Sequence, residues 1–212
     1  MKIIKIVPLL IIVASFAVGI YFYPQMPDQV ASHWNTQGQV NGYMSKFWGM
    51  FLMPLLSVFM YLLFLIIPEL DPKAENIKKF RGNFDNFIAT IFAFFFYIFI
   101  LTILWNLDIR FNFTAFIVPA FAALFYMIGT LVEKAEPNWS IGIRTPWTLS
   151  NENVWRVTHA LGGKLFRLVA IISLSSLLVP KYSFWVVIIS VISSTLYLLV
   201  HSYFSYRKEI KK

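Results

Sequence analysis

The sequence predicts an all-α membrane protein, a polytopic bundle of six transmembrane helices. Hydrophobic residues make up 58% of the 212 residues, charged residues only 13%, and 22 residues are phenylalanine. The mean hydropathy of +0.68 lies above the range of soluble domains of this size. We therefore expect a multi-pass protein of the cell membrane whose first partner is the lipid bilayer.

Six apolar stretches are long enough to span a bilayer, since a hydrocarbon core of about 30 Å needs roughly 20 residues per helix. The first stretch follows Lys2 and Lys5 as a signal peptide would, but no small-residue cleavage site comes after it, so we expect a retained anchor. The fifth is the shortest, and Arg167 lies near its start. The approximate limits are residues 6–23, 47–67, 87–107, 113–132, 165–179 and 184–203.

The distribution of positive charge predicts the orientation of the chain. Of the 18 Lys and Arg residues, all but Lys46, Arg110 and Lys181 fall on one side of the predicted spans. Because positive loops face the cytoplasm, we expect both termini there. The net charge of +8 then reflects topology and attraction to anionic lipid, and it gives no support to direct binding of nucleic acid.

The first connection, residues 23–46, is rich in amides and hydroxyls and lies on the predicted outer side. Gly38 and the pair Asn41-Gly42 tolerate positive φ, so we expect a short hairpin or compact cap. The loop between the second and third spans reads only as a charged cytoplasmic linker. Candidate residues for an external ligand are Pro27, His33, Trp34, Asn35, Gly38, Gly42, Tyr43 and Lys46.

Aromatic residues of this outer loop support two interpretations. Trp34, Tyr43 and Trp48 fit anchoring at the level of the lipid headgroups, where Trp and Tyr are enriched. The alternative is a receptor surface, because Trp and Tyr also dominate binding interfaces. His33 would make such a surface sensitive to pH.

The second polar segment, residues 140–167, falls on the predicted cytoplasmic side. Ser150 or Asn151 is the expected N-cap of a helix. The apolar spacing over residues 154–161 predicts a short amphipathic helix at the membrane surface, which feeds the fifth span.

Two adjacent glycines, Gly162 and Gly163, follow that amphipathic stretch. They would permit a bend or a close helix crossing at the membrane surface. As a hypothesis, this joint is the element that passes a conformational change from one face to the other.

The charged and aromatic side chains of the segment have several candidate roles. Arg144 is suited to gripping a lipid phosphate, a carboxylate of a partner, or Glu152. Trp139, Trp147 and Trp155 would either anchor the segment at the interface or present a docking face. A loop folded onto the end of the bundle is the alternative to docking.

The spans offer little for catalysis or ion-coupled transport. Buried ionisable residues normally mark such sites, and the middles of the first four spans contain no carboxylate, His or Lys. The chain has no Cys, and neither His159 nor His201 lies in a local cluster of ligands, so we expect no metal, no cofactor and no catalytic residue. The sequence therefore predicts a protein that is not an enzyme.

A small-solute transporter or permease-like protein remains the alternative function. A neutral pathway would need polar side chains inside the bundle, and the last two spans supply several serines. Such serines more often pack helices together. They are Ser173, Ser175, Ser176, Ser190, Ser193 and Ser194.

The stretch IGIRTPWTLSNENVWRVTHALGGKLF, residues 141–166, closely resembles the signature of the SdpI family. Members are membrane immunity proteins that protect producing bacteria against a secreted sporulation-delaying toxin. The stretch MPDQVASHWNTQGQVNGYMSK, residues 26–46, is similar to an uncharacterised amino-terminal domain that often precedes the signature.

The resemblance implies two partners, a peptide toxin outside and a transcriptional repressor that is held at the membrane inside. It also implies two regions, an amino-terminal membrane region with four helices over residues 1–132 and an SdpI-like region over residues 133–212. The cytoplasmic signature covers residues 139–164. Its candidate partner-binding residues are Gly142, Arg144, Thr145, Pro146, Trp147, Ser150, Asn151, Trp155, His159, Gly162, Gly163 and Lys164.

Overall fold

The computed structural model describes residues 2–211, with side chains from residue 6 to residue 211. Within this part of the chain, six helices are apolar and long enough to cross a membrane, which confirms the predicted fold class and number of spans. The side chains of three residues counted in the predicted charge distribution lie outside the described part of the chain: Lys2, Lys5 and Lys212. The helices are α1 (Lys2–Phe22), α2 (Lys46–Leu70), α3 (Ala74–Lys79), α4 (Arg81–Asn106), α5 (Phe113–Lys134), α6 (Pro146–Ser150), α7 (Glu152–Ser175) and α8 (Ser183–Glu209).

The connections gather at two ends of the bundle, because successive long helices alternate in direction. The hairpin end carries two antiparallel strands, β1 (Gln29–Trp34) and β2 (Val40–Ser45), beside the last turn of α4. The signature end carries α3, the loop between α5 and α6, and α6 itself. The hairpin predicted in the first connection is therefore confirmed.

Two apolar clusters fill the bundle, one near each end. Phenylalanine side chains of α4 contribute to both. The cluster near the signature end includes Ile12, Ile77, Phe84, Phe92 and Trp155. The cluster near the hairpin end includes Met26, Val30, Met50, Phe99 and Ile103.

Helix α7 corrects the predicted division between an interfacial helix and a separate fifth span. It runs without interruption from Glu152 to Ser175, so no break separates two helices at Gly162 and Gly163. The amphipathic stripe is real, but Val154, Trp155 and other apolar residues on it are buried inside the protein rather than laid on the membrane surface.

The two glycines instead allow close packing, which was the other predicted outcome. A Cβ on Gly163 would lie 3.0 Å from the carbonyl oxygen of Gly129 in α5 and 2.6 Å from the Cβ of Glu133. A Cβ on Gly162 would meet Ile143, and Val132 at 3.2 Å. Small residues let the backbones of α5 and α7 touch, as is common between membrane helices.

The connection between α2 and α4 is more ordered than the predicted linker. Pro68 lies inside α2, and Ile77 and Phe80 are buried. The apolar side chains of the short helix α3 fold it against the bundle, because they can be removed from water there.

Candidate functional site

The loop between α5 and α6 is organised by one buried amide. Asn138 is 1% exposed, and its Nδ2 donates to the carbonyl oxygens of Glu136 at 2.8 Å and Ile141 at 2.9 Å. Its Oδ1 accepts from the backbone N–H groups of Ser140 at 2.9 Å and Ile141 at 2.6 Å. All four hydrogen-bonding positions of the amide are thus used, which fixes the loop. Asn138 was not among the predicted site residues, although Asn side chains in turns often hydrogen-bond the backbone two residues on, as Asn138 does with Ser140.

The same loop is tied to the far end of α2. Asp71 is buried, and its Oδ2 accepts from the Trp139 N–H at 2.9 Å and from the Ser140 hydroxyl at 2.5 Å. Its Oδ1 accepts from the Lys73 N–H at 2.7 Å. Asn76 of α3 donates to the carbonyl of the residue before Asn138, at 2.7 Å. This bridge across 68 residues carries no sequence signal, because only the fold brings its partners together.

Trp155 and His159 form a stacked pair beneath the loop. Their rings lie 3.8 Å apart at an interplanar angle of 16°, and both residues are nearly inaccessible to solvent. The indole N–H of Trp155 donates to the carbonyl oxygen of Ala135 at 2.7 Å. Neither ring is available as an interface anchor or a docking face, so that prediction is wrong for Trp155.

Both ring nitrogens of His159 are occupied. Nδ1 lies 2.8 Å from the carbonyl oxygen of Trp155, and Nε2 lies 2.9 Å from the backbone nitrogen of Ile143. A carbonyl only accepts and an amide N–H only donates, so the ring is neutral with its proton on Nδ1. His159 therefore holds the loop to α7.

Gly142 closes this arrangement, because no larger residue fits above the rings. Its φ is +124°, a conformation that side chains disfavour. A Cβ there would lie 2.5 Å from Nε2 of His159 and 3.2 Å from the Trp155 ring. We call Gly142, Trp155 and His159 the signature lock.

The segment after the lock is capped in two steps. Thr145 and Thr148 form a capping box at the start of α6, with Pro146 in the first turn. Asn151 caps α7 by accepting from the N–H groups of Asn153 and Val154, which confirms one of the two predicted N-caps. The other, Ser150, donates its hydroxyl to the carbonyl of Pro146 at 2.7 Å.

Contacts with α8 hold α6 in place. The Thr145 hydroxyl lies 3.1 Å from the Ser202 hydroxyl, and Trp147 packs edge-on against Tyr203 with ring centroids 5.2 Å apart. Asn153 donates to the Glu209 carboxylate at 2.8 Å. Most of the polar residues in the signature are therefore engaged in folding this loop onto the bundle.

A smaller set of signature side chains stays exposed. Arg144 donates to the Trp139 carbonyl at 2.5 Å and is otherwise on the surface, as are the Trp139 ring and Lys164. Among the described residues, no ion pair joins Arg144 to Glu152. Of the three partners predicted for Arg144, a lipid phosphate and a carboxylate of another protein remain as predictions.

A polar cleft of about 480 Å³ opens beside the lock. It lies between α3, the end of α5 and the start of α7, and side chains of both signs line it. Such a surface suits a partner with mixed charges better than a purely anionic one. Its charged lining residues are Lys79, Glu133, Lys134, Glu136, Glu152 and Arg156.

One ion pair lies where α5 crosses α7. The Arg167 guanidinium binds Glu133 in a bidentate manner, at 2.8 and 3.1 Å, and both side chains are partly buried. Arg167 was expected near the start of the fifth span, but its partner Glu133 could not be predicted from the sequence. An Arg and a carboxylate in this geometry fix the register of two helices.

At the hairpin end, the turn lies at Asn35 to Gly38. Asn35 N–H donates to Gln39 at 2.8 Å, Gly38 N–H donates to Asn35 at 2.9 Å, and Gly38 has a φ of +76°. The predicted turn at Asn41-Gly42 is wrong, because both residues lie within β2. Gly42 is required there for space, since a Cβ would lie 2.9 Å from that of His33.

The hairpin is anchored to the bundle by an amide and a stacked ring. The Asn106 side chain exchanges two hydrogen bonds with the backbone of Ala31, at 2.8 and 3.1 Å. Trp34 stacks on Phe113 at 3.8 Å and packs edge-on against Trp105. Trp34 therefore joins the hairpin to the helices, while its predicted role as headgroup anchor or receptor surface stays a prediction.

Other residues predicted for the outer surface remain accessible. Pro27 and His33 are exposed, and His33 Nδ1 donates to Asn41 Oδ1 at 2.5 Å. The Tyr43 side chain is 60% exposed, and the Lys46 ammonium lies 5.0 Å from the centre of the Tyr23 ring. In the described part of the chain, no three His, Asp or Glu side chains are grouped as a metal site would require.

Comparison with known proteins gives two family matches, one that includes the hairpin and one that includes the signature. Residues 10–58, which include the hairpin, match DUF1648, a domain of unknown function, and residues 134–202 match the SdpI/YfhL protein family. The chain is 24% identical to Immunity protein SdpI of Bacillus subtilis (strain 168) over 205 residues, 96% of each protein. No solved structure matches it. The resemblance noted in the signature is therefore confirmed: residues 134–202 of this multi-pass protein of the cell membrane match the SdpI/YfhL family.

Proposed function

We propose that this chain is a membrane immunity protein, which protects the cell that makes it against a secreted antibacterial peptide. The observation that carries the proposal is the likeness to Immunity protein SdpI, which extends over 96% of both chains rather than over one motif. The proposed activity is binding without catalysis.

The geometry supports a receptor with two faces. An apolar bundle separates a polar hairpin from a polar loop module, and we place the hairpin outside and both termini inside. Lys46, Arg110 and Lys181 are then the cations of the outer face, as the positive-inside rule favours. A peptide that attacks the membrane from outside would meet the hairpin first.

We place a second partner at the signature end. The cleft beside the lock, with the exposed Arg144, Trp139 and Lys164 nearby, is the docking surface proposed for a cytoplasmic repressor. Gly142, Trp155 and His159 would shape this surface mainly by holding the loop, since the polar atoms of both rings are committed to the lock. Residues 1–132 and 133–212 would then act as toxin-facing and partner-facing regions.

Orientation can be tested because the chain has no Cys. Single substitutions Gln37→Cys at the hairpin and Lys78→Cys in α3 place one thiol at each end. In intact cells, a membrane-impermeant maleimide should label the first and spare the second. The opposite pattern would reverse the two faces.

Immunity is tested by survival of a sensitive strain that expresses the chain. The challenge is purified sporulation-delaying toxin, beside a panel of unrelated membrane-active peptides. We expect protection against one peptide, and His33→Ala or Arg144→Gln at equal membrane abundance would show which face is needed. Protection against none of the peptides would contradict the proposal and make solute counterflow in proteoliposomes the test of the transporter alternative.

A further inference from the structure

The hydrogen bonding of the hairpin determines which backbone groups point outward. The Lys46 N–H donates to the Asp28 carbonyl at 2.9 Å, and the register pairs Ala31 with Tyr43. Hydrogen-bonded and non-hydrogen-bonded pairs alternate along an antiparallel ladder. Asp28 and Lys46 form a hydrogen-bonded pair, so Ala31 and Tyr43, three pairs further along, form a non-hydrogen-bonded one. The backbone N–H and C=O of these two residues therefore point to opposite edges of the hairpin.

The edge of β1 is closed by the bundle. Both outward groups of Ala31 are taken by the Asn106 side chain, which pairs with this strand as a neighbouring strand would. Ala31 itself is completely buried. The outward direction of the Ala31 backbone groups is therefore confirmed, and the second edge of the hairpin is that of β2.

The edge of β2 is open. No side chain in the described residues hydrogen-bonds the backbone of Tyr43 or Ser45, and the side chains of Asn41, Tyr43 and Ser45 are all exposed. Ser45 lies two residues after Tyr43, so its N–H points the same way. Three backbone groups, the N–H and C=O of Tyr43 and the N–H of Ser45, face outward together.

This edge also lacks the usual protection. Natural edge strands are blocked by charged side chains or proline. Residues 29–45 contain no Lys, Arg, Asp, Glu or Pro. The exposed aromatic rings of Tyr43, Phe47 and Trp48 lie on or directly after the strand.

We propose that the open edge of β2 binds an extended segment of the antibacterial peptide as a third strand. Open backbone groups select an extended backbone, and this mode of recognition draws affinity from main-chain hydrogen bonds. The uncharged strand and the adjacent aromatic rings select an apolar segment. The inference rests on the proposed function, since it assigns the occupant through the immunity activity.

The strand offers a substitution that removes one outward donor without bending the chain. Ser45 has φ −59° and ψ 151°, values that proline adopts readily. Ser45→Pro therefore deletes the outward N–H, while Ser45→Ala removes the same side chain and keeps it. The loss of one hydrogen bond should weaken binding about three- to tenfold.

The experiment uses the full chain in phospholipid nanodiscs, with purified sporulation-delaying toxin as the probe. We expect the peptide to slow hydrogen exchange at the Tyr43 and Ser45 amides, Ser45→Ala to bind as the original chain does, and Ser45→Pro to bind more weakly. Survival assays with the same variants should follow the same order at equal membrane abundance.

Three results would overturn the assignment, and they are distinguishable. If Ser45→Pro binds and protects as the original chain does, and the peptide does not slow exchange at Tyr43, the edge of β2 is not the peptide site. The proposed immunity function would stand. Slow exchange at Tyr43 that depends on protein concentration without peptide would assign the edge to a second copy of the chain. Neither protection nor binding by the unsubstituted chain would remove both proposals for this peptide.

Discussion

The signature end and the hairpin end of the bundle are both polar, but different interactions hold them. The loop at the signature end is fixed by buried hydrogen bonds through Asn138, Asp71 and His159. The hairpin has one half-buried amide anchor, Asn106, and one stacked ring, Trp34, and one of its strands has an open edge. The difference teaches that the part of the sequence with the strongest motif is mostly scaffold, whereas the less distinctive loop keeps more free recognition groups.

The largest effect should come from closing the space above the signature lock. Gly142→Ala combines an unfavourable φ with a clash against His159, and we expect a loss of about 3 kcal/mol or more. Thermal unfolding in detergent, followed by size-exclusion chromatography, should show a midpoint about 6 °C lower or more. Gly82→Ala is the matched control, because a Cβ there meets nothing within 4 Å. Equal midpoints for the two variants would refute the lock.

A smaller loss is expected when the lock keeps its ring stacking but loses its hydrogen bonds. His159→Phe leaves the N–H of Ile143 unpaired and removes the second hydrogen bond of the Trp155 carbonyl, at a cost of about 1 to 3 kcal/mol. His201→Phe is the control, since Nδ1 of His201 has no hydrogen-bond partner among the described residues. The two variants should differ clearly in thermal midpoint; a similar midpoint would mean that stacking alone holds the loop.

At the hairpin end, the same kind of deletion should act locally. Asn106→Ala removes both hydrogen bonds to Ala31, worth about 1 to 2 kcal/mol. Because the remaining contacts of this strand with α4 are apolar, we expect faster hydrogen exchange at the Ala31 amide with α5 and α7 unchanged. Thr102→Ala, one turn earlier in α4, is the control. Faster exchange throughout the bundle would show that the hairpin is as integral as the signature loop.

The smallest effect on stability is expected at an exposed side chain of the signature. Arg144→Gln should change the free energy of unfolding by less than about 0.5 kcal/mol, because the guanidinium lies at the surface. Binding of a cytoplasmic partner, measured by co-purification at equal abundance, should nevertheless fall. A large loss of abundance would instead assign Arg144 to folding.

The spans could be predicted because each is a long apolar run, and the cap at Asn151 because its signal is local. The position of the hairpin turn could not, since Asn35 to Gly38 and Asn41-Gly42 offer equivalent turn residues. The choice depends on packing, such as that of Val30 on Gly49, where a Cβ would lie 2.6 Å from the valine.

Long-range polar contacts were equally inaccessible to sequence reasoning. Asp71 and Trp139 are joined across 68 residues, and Ala31 and Asn106 across 75. The continuity of α7 was missed because its polar first half resembles a surface helix, and only burial against α5 explains it. The roles of the exposed residues in binding stay predictions.

The contact between Gly129 and Gly163 limits how this protein can move. With Arg167 paired to Glu133 beside it, α7 cannot slide along α5 by one helical turn, about 5.4 Å, without breaking the ion pair and bringing side chains between two touching backbones. The contact and the ion pair therefore favour joint movement of α5 and α7. A tilt of this pair against α2 would instead act on the hydrogen bonds between Asp71 and the loop at Trp139 and Ser140.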